Sequence, residues 1–329
     1  MRLMQFQDGD ARFVGAVAGD GRLRRLRGVE SVFAMAREAA DGGAALADVV
    51  ARAAGEAIEE EPLFAQGKVL SPVDHPEPAR MMVSGTGLTH LGSAQSRDQM
   101  HADDQEAGTL TDSMRMFRLG LEGGKPSPCE FFGAQPEWFY KGDGGCVVPP
   151  GADIARPAFA EGGGEEAEIA GVYIIDRSGM PHRIGFVLGN EFSDHVMEKQ
   201  NYLWLAHSKL RQCAIGPELL AGDLPRNIQG RSSIRRDGRT IWQKPFLSGE
   251  DNMCHSIANL ERHHFKYAGF CRPGDIHLHF FGAAALSFSD DVQAVDGDEF
   301  VIECPVFGRP LVNRLRIAKA VRGRDVGVL

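Results

Sequence analysis

The chain has 329 residues, 43% of them hydrophobic and 25% charged, and a formal net charge of −9. Those values suit a soluble globular protein with room for a sizeable core, and the acidic balance argues against a nucleic-acid partner, which needs a concentrated basic surface. No run approaches the roughly eighteen apolar residues of a membrane span, so no membrane association is expected.

The opening MRLMQFQDGD lacks the basic start and apolar centre of a signal peptide. Cys129, Cys146, Cys213, Cys254, Cys271 and Cys304 form no CxxC pair, so neither a disulfide framework nor a zinc knuckle is indicated. A reduced cytoplasm is the expected location.

Residues 1–75 read as a small leading α+β module. Arg2–Phe6 and Ala11–Val17 are expected as strands, Gly19-Asp20-Gly21 as a turn, and Ser31–Ala40 and Ala44–Glu56 as Ala-rich helices. The Pro-punctuated stretch from Leu70 to Pro78 marks a boundary, after which residues 76–329 form the larger unit that carries the chemistry.

Arg80 opens a strand, Met81–Ser84, that runs into Gly85-Thr86-Gly87-Leu88-Thr89-His90-Leu91-Gly92. The glycine spacing is neither GxGxxG nor a Walker A, so a phosphate loop is not indicated. His90 is either an imidazole bordering a site or a partly buried ring bonded to backbone. Ala94–Met100 and Asp112–Leu121 are expected as helices in a polar segment able to close over a site. In Pro136-Glu137-Trp138-Phe139-Tyr140-Lys141-Gly142 the aromatics either line a pocket or pack the core, and Glu137 is the preferred acid/base candidate.

The stretch from Glu165 to Pro217 is the most informative. Glu166 and Glu168 lie two apart at the head of the β-rich run Ile169–Ile175, so both point to one face, which continues through Ala170, Val172 and Ile174. Asp176-Arg177-Ser178-Gly179 is turn chemistry, and Arg183–Gly189 returns to deliver Asn190-Glu191 near the first two carboxylates. Such a head is either a solvated outer face or a buried oxygen set. Three carboxylates without Cys or His suit a hard divalent cation, Mg²⁺ or Mn²⁺. Lys209 is the candidate balancing charge.

Further on, Ile228–Phe246 reads as paired strands around Asp237-Gly238. Arg231, Arg235, Arg236 and Arg239 make a solvated turn there, or a lid that draws in an anion. Ser256–Lys266 is expected as a helix on which adjacent His263 and His264 point different ways. His277 and His279 alternate on a strand, two imidazoles without a third ligand for zinc, and His279 is placed at the pocket rim. Arg314–Arg324 reads as a strand end and a frayed terminus.

Taken in order, Glu166-x-Glu168, Gly185-Phe186-Val187-Leu188-Gly189-Asn190-Glu191, Lys209 with Ile215-Gly216-Pro217, Pro273-Gly274-Asp275 and the stretch Gly297–Glu303 with Gly308 and Asn313 resemble the fumarylacetoacetate hydrolase superfamily over about residues 76 to 315. Within it, Asn190-Glu191, the segment Asn201–Lys209 and the segment Pro136–Gly142 are similar to the branch of 2-keto-3-deoxy sugar acid dehydratases. Two departures stand out. Glu191 takes the place of the family's usual Asp, and His279-Phe280-Phe281-Gly282-Ala283 replaces a Gly-Thr-Pro or Gly-Thr-Gly loop whose Thr meets substrate.

The resemblance implies an α+β fold, a mixed β-roll or sandwich, and a homodimer or larger homo-oligomer. It implies Mg²⁺ or Mn²⁺ on Glu166, Glu168 and Glu191, chelating the carboxylate and keto oxygen of a small 2-keto acid so that its C3 proton becomes acidic. Glu137 or a metal-linked water is the expected base, His90 the acid and Lys209 the holder of the oxyanion or substrate carboxylate, with Arg80, Lys141 and His279 as substrate contacts. The implied reaction dehydrates a 2-keto-3-deoxypentonate to 2,5-dioxopentanoate. C–C hydrolysis of a 2,4-diketo acid and a non-catalytic sugar-acid-binding protein are the alternatives.

Overall fold

The computed structural model describes residues 1–17, 21–93, 111–320 and 322–329. The strands in chain order are β1 (Arg2–Asp8), β2 (Ala11–Val17), β3 (Leu23–Leu26), β4 (Ala54–Ala57), β5 (Met81–Gly85), β6 (Phe139–Asp143), β7 (Val147–Val148) and β8 (Asp153–Arg156). They continue with β9 (Ala167–Ile175), β10 (Pro181–Asn190), β11 (Cys213–Leu220), β12 (Ile228–Arg236), β13 (Arg239–Ser248), β14 (Ile276–Phe280), β15 (Glu299–Glu303) and β16 (Leu311–Ile317).

Two mixed sheets organise them. The first runs β4-β3-β2-β1-β11-β10-β9-β14-β5-β6, with β7 beside β11; the second runs β13-β12-β15-β16-β8. β1 pairs with β11 through Arg2↔Leu220 and Leu3↔Leu219, so the leading strands extend the sheet that holds the acidic hairpin.

That hairpin forms as its alternation requires. β9 is flanked by β10 and β14, and all nine of its residues are buried. Ala170, Val172 and Ile174 pack with Val32, Phe33 and Met35 from the helix Val32–Gly42. On the opposite face Ala167 and Ile169 meet Ile234, Phe300 and Ile302 of the second sheet. Two buried faces explain why the run is apolar beyond its first residues, as in strands covered on both sides.

Ser31, Thr111 and Ser256 each accept an N–H bond as N-caps of helices Val32–Gly42, Asp112–Gly123 and Ile257–Phe265, close to the expected starts. One boundary needs correction: the helix expected over Ala44–Glu56 ends at Ala53, and Ala54–Ala57 becomes β4 against β3. Gly55 is the reason, because a Cβ there would lie 2.5 Å from the Arg25 carbonyl oxygen, an approach open to glycine alone. The helix expected over Ala94–Met100 lies outside the described residues. Among the described residues no helix is long and apolar enough to cross a membrane.

Candidate functional site

The antiparallel pairing of β9 and β10 sets Gly189 opposite Glu168 and Asn190 opposite Ala167. One step further, the Glu191 N–H donates to the Glu166 carbonyl at 2.9 Å, which brings Glu191 opposite Glu166. Opposed residues in a ladder share a face, and Glu168 shares it with Glu166 by the two-residue period. One oxygen from each of Glu166, Glu168 and Glu191 therefore lies within 4.8 Å of the others, and all three residues are buried. The solvated-face alternative does not hold.

Burying three carboxylates together is costly unless cations compensate them. Lys209 supplies the first compensation: its Nζ donates to Glu166 Oε1 and, at 2.6 Å, to Glu191 Oε2, and it sits 4.9 Å over the Phe139 ring. Lys141, two residues after Phe139 on β6 and so on the same face, pairs with Glu191 Oε1 and donates to the carbonyls of Phe192 at 2.7 Å and Lys209 at 3.1 Å. His195 Nε2 lies 3.1 Å from Glu166 Oε1.

The charges are shared unevenly. Burial pushes the Glu166 carboxyl up, but Lys209 and His195 outweigh it and hold the group well below the usual carboxylate range. Glu168 has no such partner. Burial first, then the charges of Glu166 and Glu191, drive its pKa well above normal, opposed by Lys209 and by the Gly282 N–H at 2.7 Å. Gly282 reaches that position at φ 102°, where a Cβ would lie 2.5 Å from Thr89 Oγ1. An all-oxygen set with one uncompensated carboxylate fits a hard divalent cation, which would supply the charge the lysines leave missing.

Replacing Lys209 by Met strips the cation from two buried carboxylates. The expected loss is about 3–5 kcal/mol of stability, read as a lower urea midpoint in EDTA. An unchanged midpoint would show that the pair carries no such burden.

Glu166 and Glu168 open on a small cavity lined also by Lys209, Thr86, Glu137, His195, Glu198 and Gly282. Glu137 reaches it from the irregular segment just before β6, accepts a hydrogen bond from the Tyr202 hydroxyl and is 6% exposed. Lys209 and Glu137, two of the residues singled out in the sequence, line this cavity together with Glu166 and Glu168.

The other candidates lie elsewhere. His90 does not line the cavity: Nδ1 is 3.0 Å from Thr89 Oγ1 and Nε2 2.9 Å from Ser248 Oγ, and burial lowers its pKa to about 4. Lys141 is enclosed behind Glu191 and is not in the lining. Arg80 precedes β5 whereas Thr86 follows it, a separation of roughly 20 Å along a strand, and its Nε is spent on Asp275 at 2.8 Å.

His279 stands opposite Gly171 on β9, the face away from Glu168, where its Nδ1 lies 2.9 Å from Ser84 Oγ. It is buried there beside His264 rather than placed at a rim, with ring centroids 4.4 Å apart, and His264 Nε2 is 2.9 Å from His277 Nδ1. The third imidazole that the sequence did not place near His277 and His279 is therefore His264.

Two lining residues were missed. His195 and Glu198 project from the helix His195–Gln200, capped by Asp194, whose carboxylate accepts from Met197 N. Their i, i+3 spacing just after Glu191 is the signal that could have found them.

No protein-family model matches the chain. A Haloferax volcanii protein described as a "probable 2-keto-3-deoxyxylonate dehydratase" is 30% identical over 113 residues, 33% of this chain and 37% of that protein. The chain thus spans little more than a third of the curated relative it matches. A solved 2-keto-3-deoxy-D-arabinonate dehydratase complexed with magnesium and 2,5-dioxopentanoate superposes with a TM-score of 0.70 at 18% identity, covering 97% of this chain and 100% of that one. A 5-carboxymethyl-2-hydroxymuconate delta-isomerase from Mycobacterium smegmatis does so with a TM-score of 0.56 at 16% identity, over 97% and 100% of the two chains. Likeness at these identities is likeness of fold: over nearly its whole length the chain has the fold of the solved 2-keto-3-deoxy-D-arabinonate dehydratases and, less closely, of the isomerase.

Proposed function

We propose that the chain is a divalent-cation-dependent hydro-lyase that removes water from a 2-keto-3-deoxy sugar acid, a 2-keto-3-deoxypentonate giving 2,5-dioxopentanoate. The observation that carries this reading is the convergence of Glu166, Glu168 and Glu191, two of which, Glu166 and Glu168, line one cavity with Glu137. Mg²⁺, or Mn²⁺, held by the three carboxylates would supply Lewis acidity toward the carboxylate and keto oxygens of a 2-keto acid.

The chain's own groups divide the rest of the work. Glu137 is the base for the C3 proton, oriented by the Tyr202 hydroxyl. Lys209 fixes Glu166 and Glu191 relative to each other, as two hydrogen bonds from one ammonium require. His195 takes the role expected of His90: burial lowers its pKa, but Glu166 outweighs burial and raises it, so the ring can hold a proton for the departing C4 hydroxyl. Glu198 lies one turn away on the same helix face and in the same cavity. The Gly282-Ala283 loop, in place of the Thr-bearing loop of relatives, presents a backbone N–H to Glu168.

The deciding experiment incubates the Mg²⁺-loaded protein with 2-keto-3-deoxypentonates and with 2,4-diketo acids, reading products by mass. Loss of one water from the sugar acid with its carbon chain intact is expected. Cleavage of a diketo acid into two carboxylic acids would replace this reading with the hydrolase, and binding without any product with the sugar-acid-binding protein.

A further inference from the structure

β7 lies parallel to the start of β11, with Val147 opposite Cys213 and Val148 opposite Ala214. Cys146 is thus offset by one residue from Cys213, which puts their Cα atoms roughly 6 Å apart, inside the span of a disulfide. The two thiols are neighbours, Cys146 packing against the core cluster that contains Cys213. Cys213 is fully buried, and Cys146 is partly open to solvent.

This pair stands directly behind the carboxylate cluster. β10 pairs with β11 through Asn190↔Ala214, so the next step sets Cys213 opposite Glu191. Cys146 Sγ packs on Gly142, where a Cβ would lie 3.1 Å from it, and Gly142 follows Lys141, the cation paired with Glu191. The two cysteines therefore flank the Glu191–Lys141 ion pair, Cys213 at the start of β11, which pairs with β10, and Cys146 at the end of the short turn that follows β6.

We propose that Cys146 and Cys213 are a reversible oxidation site, closing an intrachain disulfide that weakens cation binding at the neighbouring carboxylates. A peroxide serves as oxidant. The Cys146 thiol, attacking as its thiolate, breaks the O–O bond and becomes a sulfenic acid, and the departing hydroxide takes up the thiol's proton as water. The Cys213 thiol then attacks the sulfenic sulfur, the S–S bond forms and a second water leaves, so two thiols are oxidised and one peroxide is reduced. A dithiol reverses the step by exchange. An S–S bond of about 2 Å is shorter than any thiol–thiol hydrogen bond. Closing it draws the Lys141–Cys146 segment toward β11 and shifts Lys141 against Glu191. The effect on the cation rests on Glu191 being a ligand, as proposed above, whereas the bridge itself does not.

The test treats the full-length protein with hydrogen peroxide, alkylates free thiols and maps peptides by mass. A Cys146–Cys213 bridge is expected in the parent and in Cys129→Ser, absent in Cys146→Ser and Cys213→Ser, and lost on adding dithiothreitol. The Mg²⁺-induced rise in melting temperature is expected to fall at least by half on oxidation of the parent and to stay unchanged in Cys146→Ser. Alkylation of both Cys146 and Cys213 under conditions that oxidise exposed Cys129 would overturn the bridge. A bridged protein with an undiminished Mg²⁺ response would overturn its regulatory consequence. Absence of any Mg²⁺ response in the reduced parent would instead count against the cation reading, leaving the bridge to be judged by the peptide map.

Discussion

Glu168→Gln is expected to lower turnover about a thousandfold or more, since removing one oxygen ligand forfeits several kcal/mol of the electrostatic assistance a divalent cation gives. Its apo stability should not fall. Glu168 is the carboxylate whose charge is disfavoured by burial and by Glu166 and Glu191, and a neutral amide keeps an oxygen for the Gly282 N–H while removing that repulsion. Glu166→Gln makes the contrast: it too loses activity, but it also strips Lys209 and His195 of their shared partner and should lower the urea midpoint. Turnover with Mg²⁺ and unfolding in EDTA separate the two effects. Retention of turnover within tenfold by Glu168→Gln would remove the carboxylate from the reaction.

The acidic hairpin was legible because a strand's two-residue period is unambiguous: Glu166 and Glu168 had to share a face, and one turn returned Glu191 to it. The same rule could not say which face of β14 met the cavity. β14 lies between β9 and β5 with all five residues buried, so His279 and Phe280 alternate without a polar side to mark direction. His90 is held by Ser248, 158 residues away, and Arg80 is paired with Asp275, 195 residues away. Long-range partners of this kind leave no local pattern. Lys141 was found as a charged residue among aromatics, but its role as cation for Glu191 follows from β6 standing beside β5, a sheet order the sequence does not display. Gly282 escaped notice for a related reason, since its use lies in a backbone N–H and not in a side chain.

The histidines outside the cavity set the second large effect, a loss of stability in acid. Burial lowers the pKa of His90, His255 and His277 to about 4 and of His279 to about 3, and His264 well below normal through burial and then the neighbouring His279 and His277. All five stay neutral in the fold while the unfolded chain protonates them below about pH 6.5, so their contribution is complete above that value and is lost as pH falls. For His90 alone the shift is worth on the order of 3 kcal/mol.

Glu168, Glu191 and Glu165, raised first by burial, and Glu218, raised by burial to about 7 despite Arg2, act in the opposite sense. Each keeps a proton in the fold that the unfolded chain has released, which favours the fold as pH falls toward about 4.5, the unfolded value, and adds nothing further below it. The two sets offset each other between about pH 6.5 and 4.5. Below that the histidines act unopposed, and the urea midpoint in EDTA should drop steeply toward pH 4. His90→Gln, which still offers an amide to the Ser248 hydroxyl, should reduce the slope there by about half to three-quarters of a proton, roughly 0.7–1 kcal/mol per pH unit, since His90 itself begins to protonate near pH 4. A parent protein as stable at pH 4 as at pH 7 would show that these rings are not held neutral.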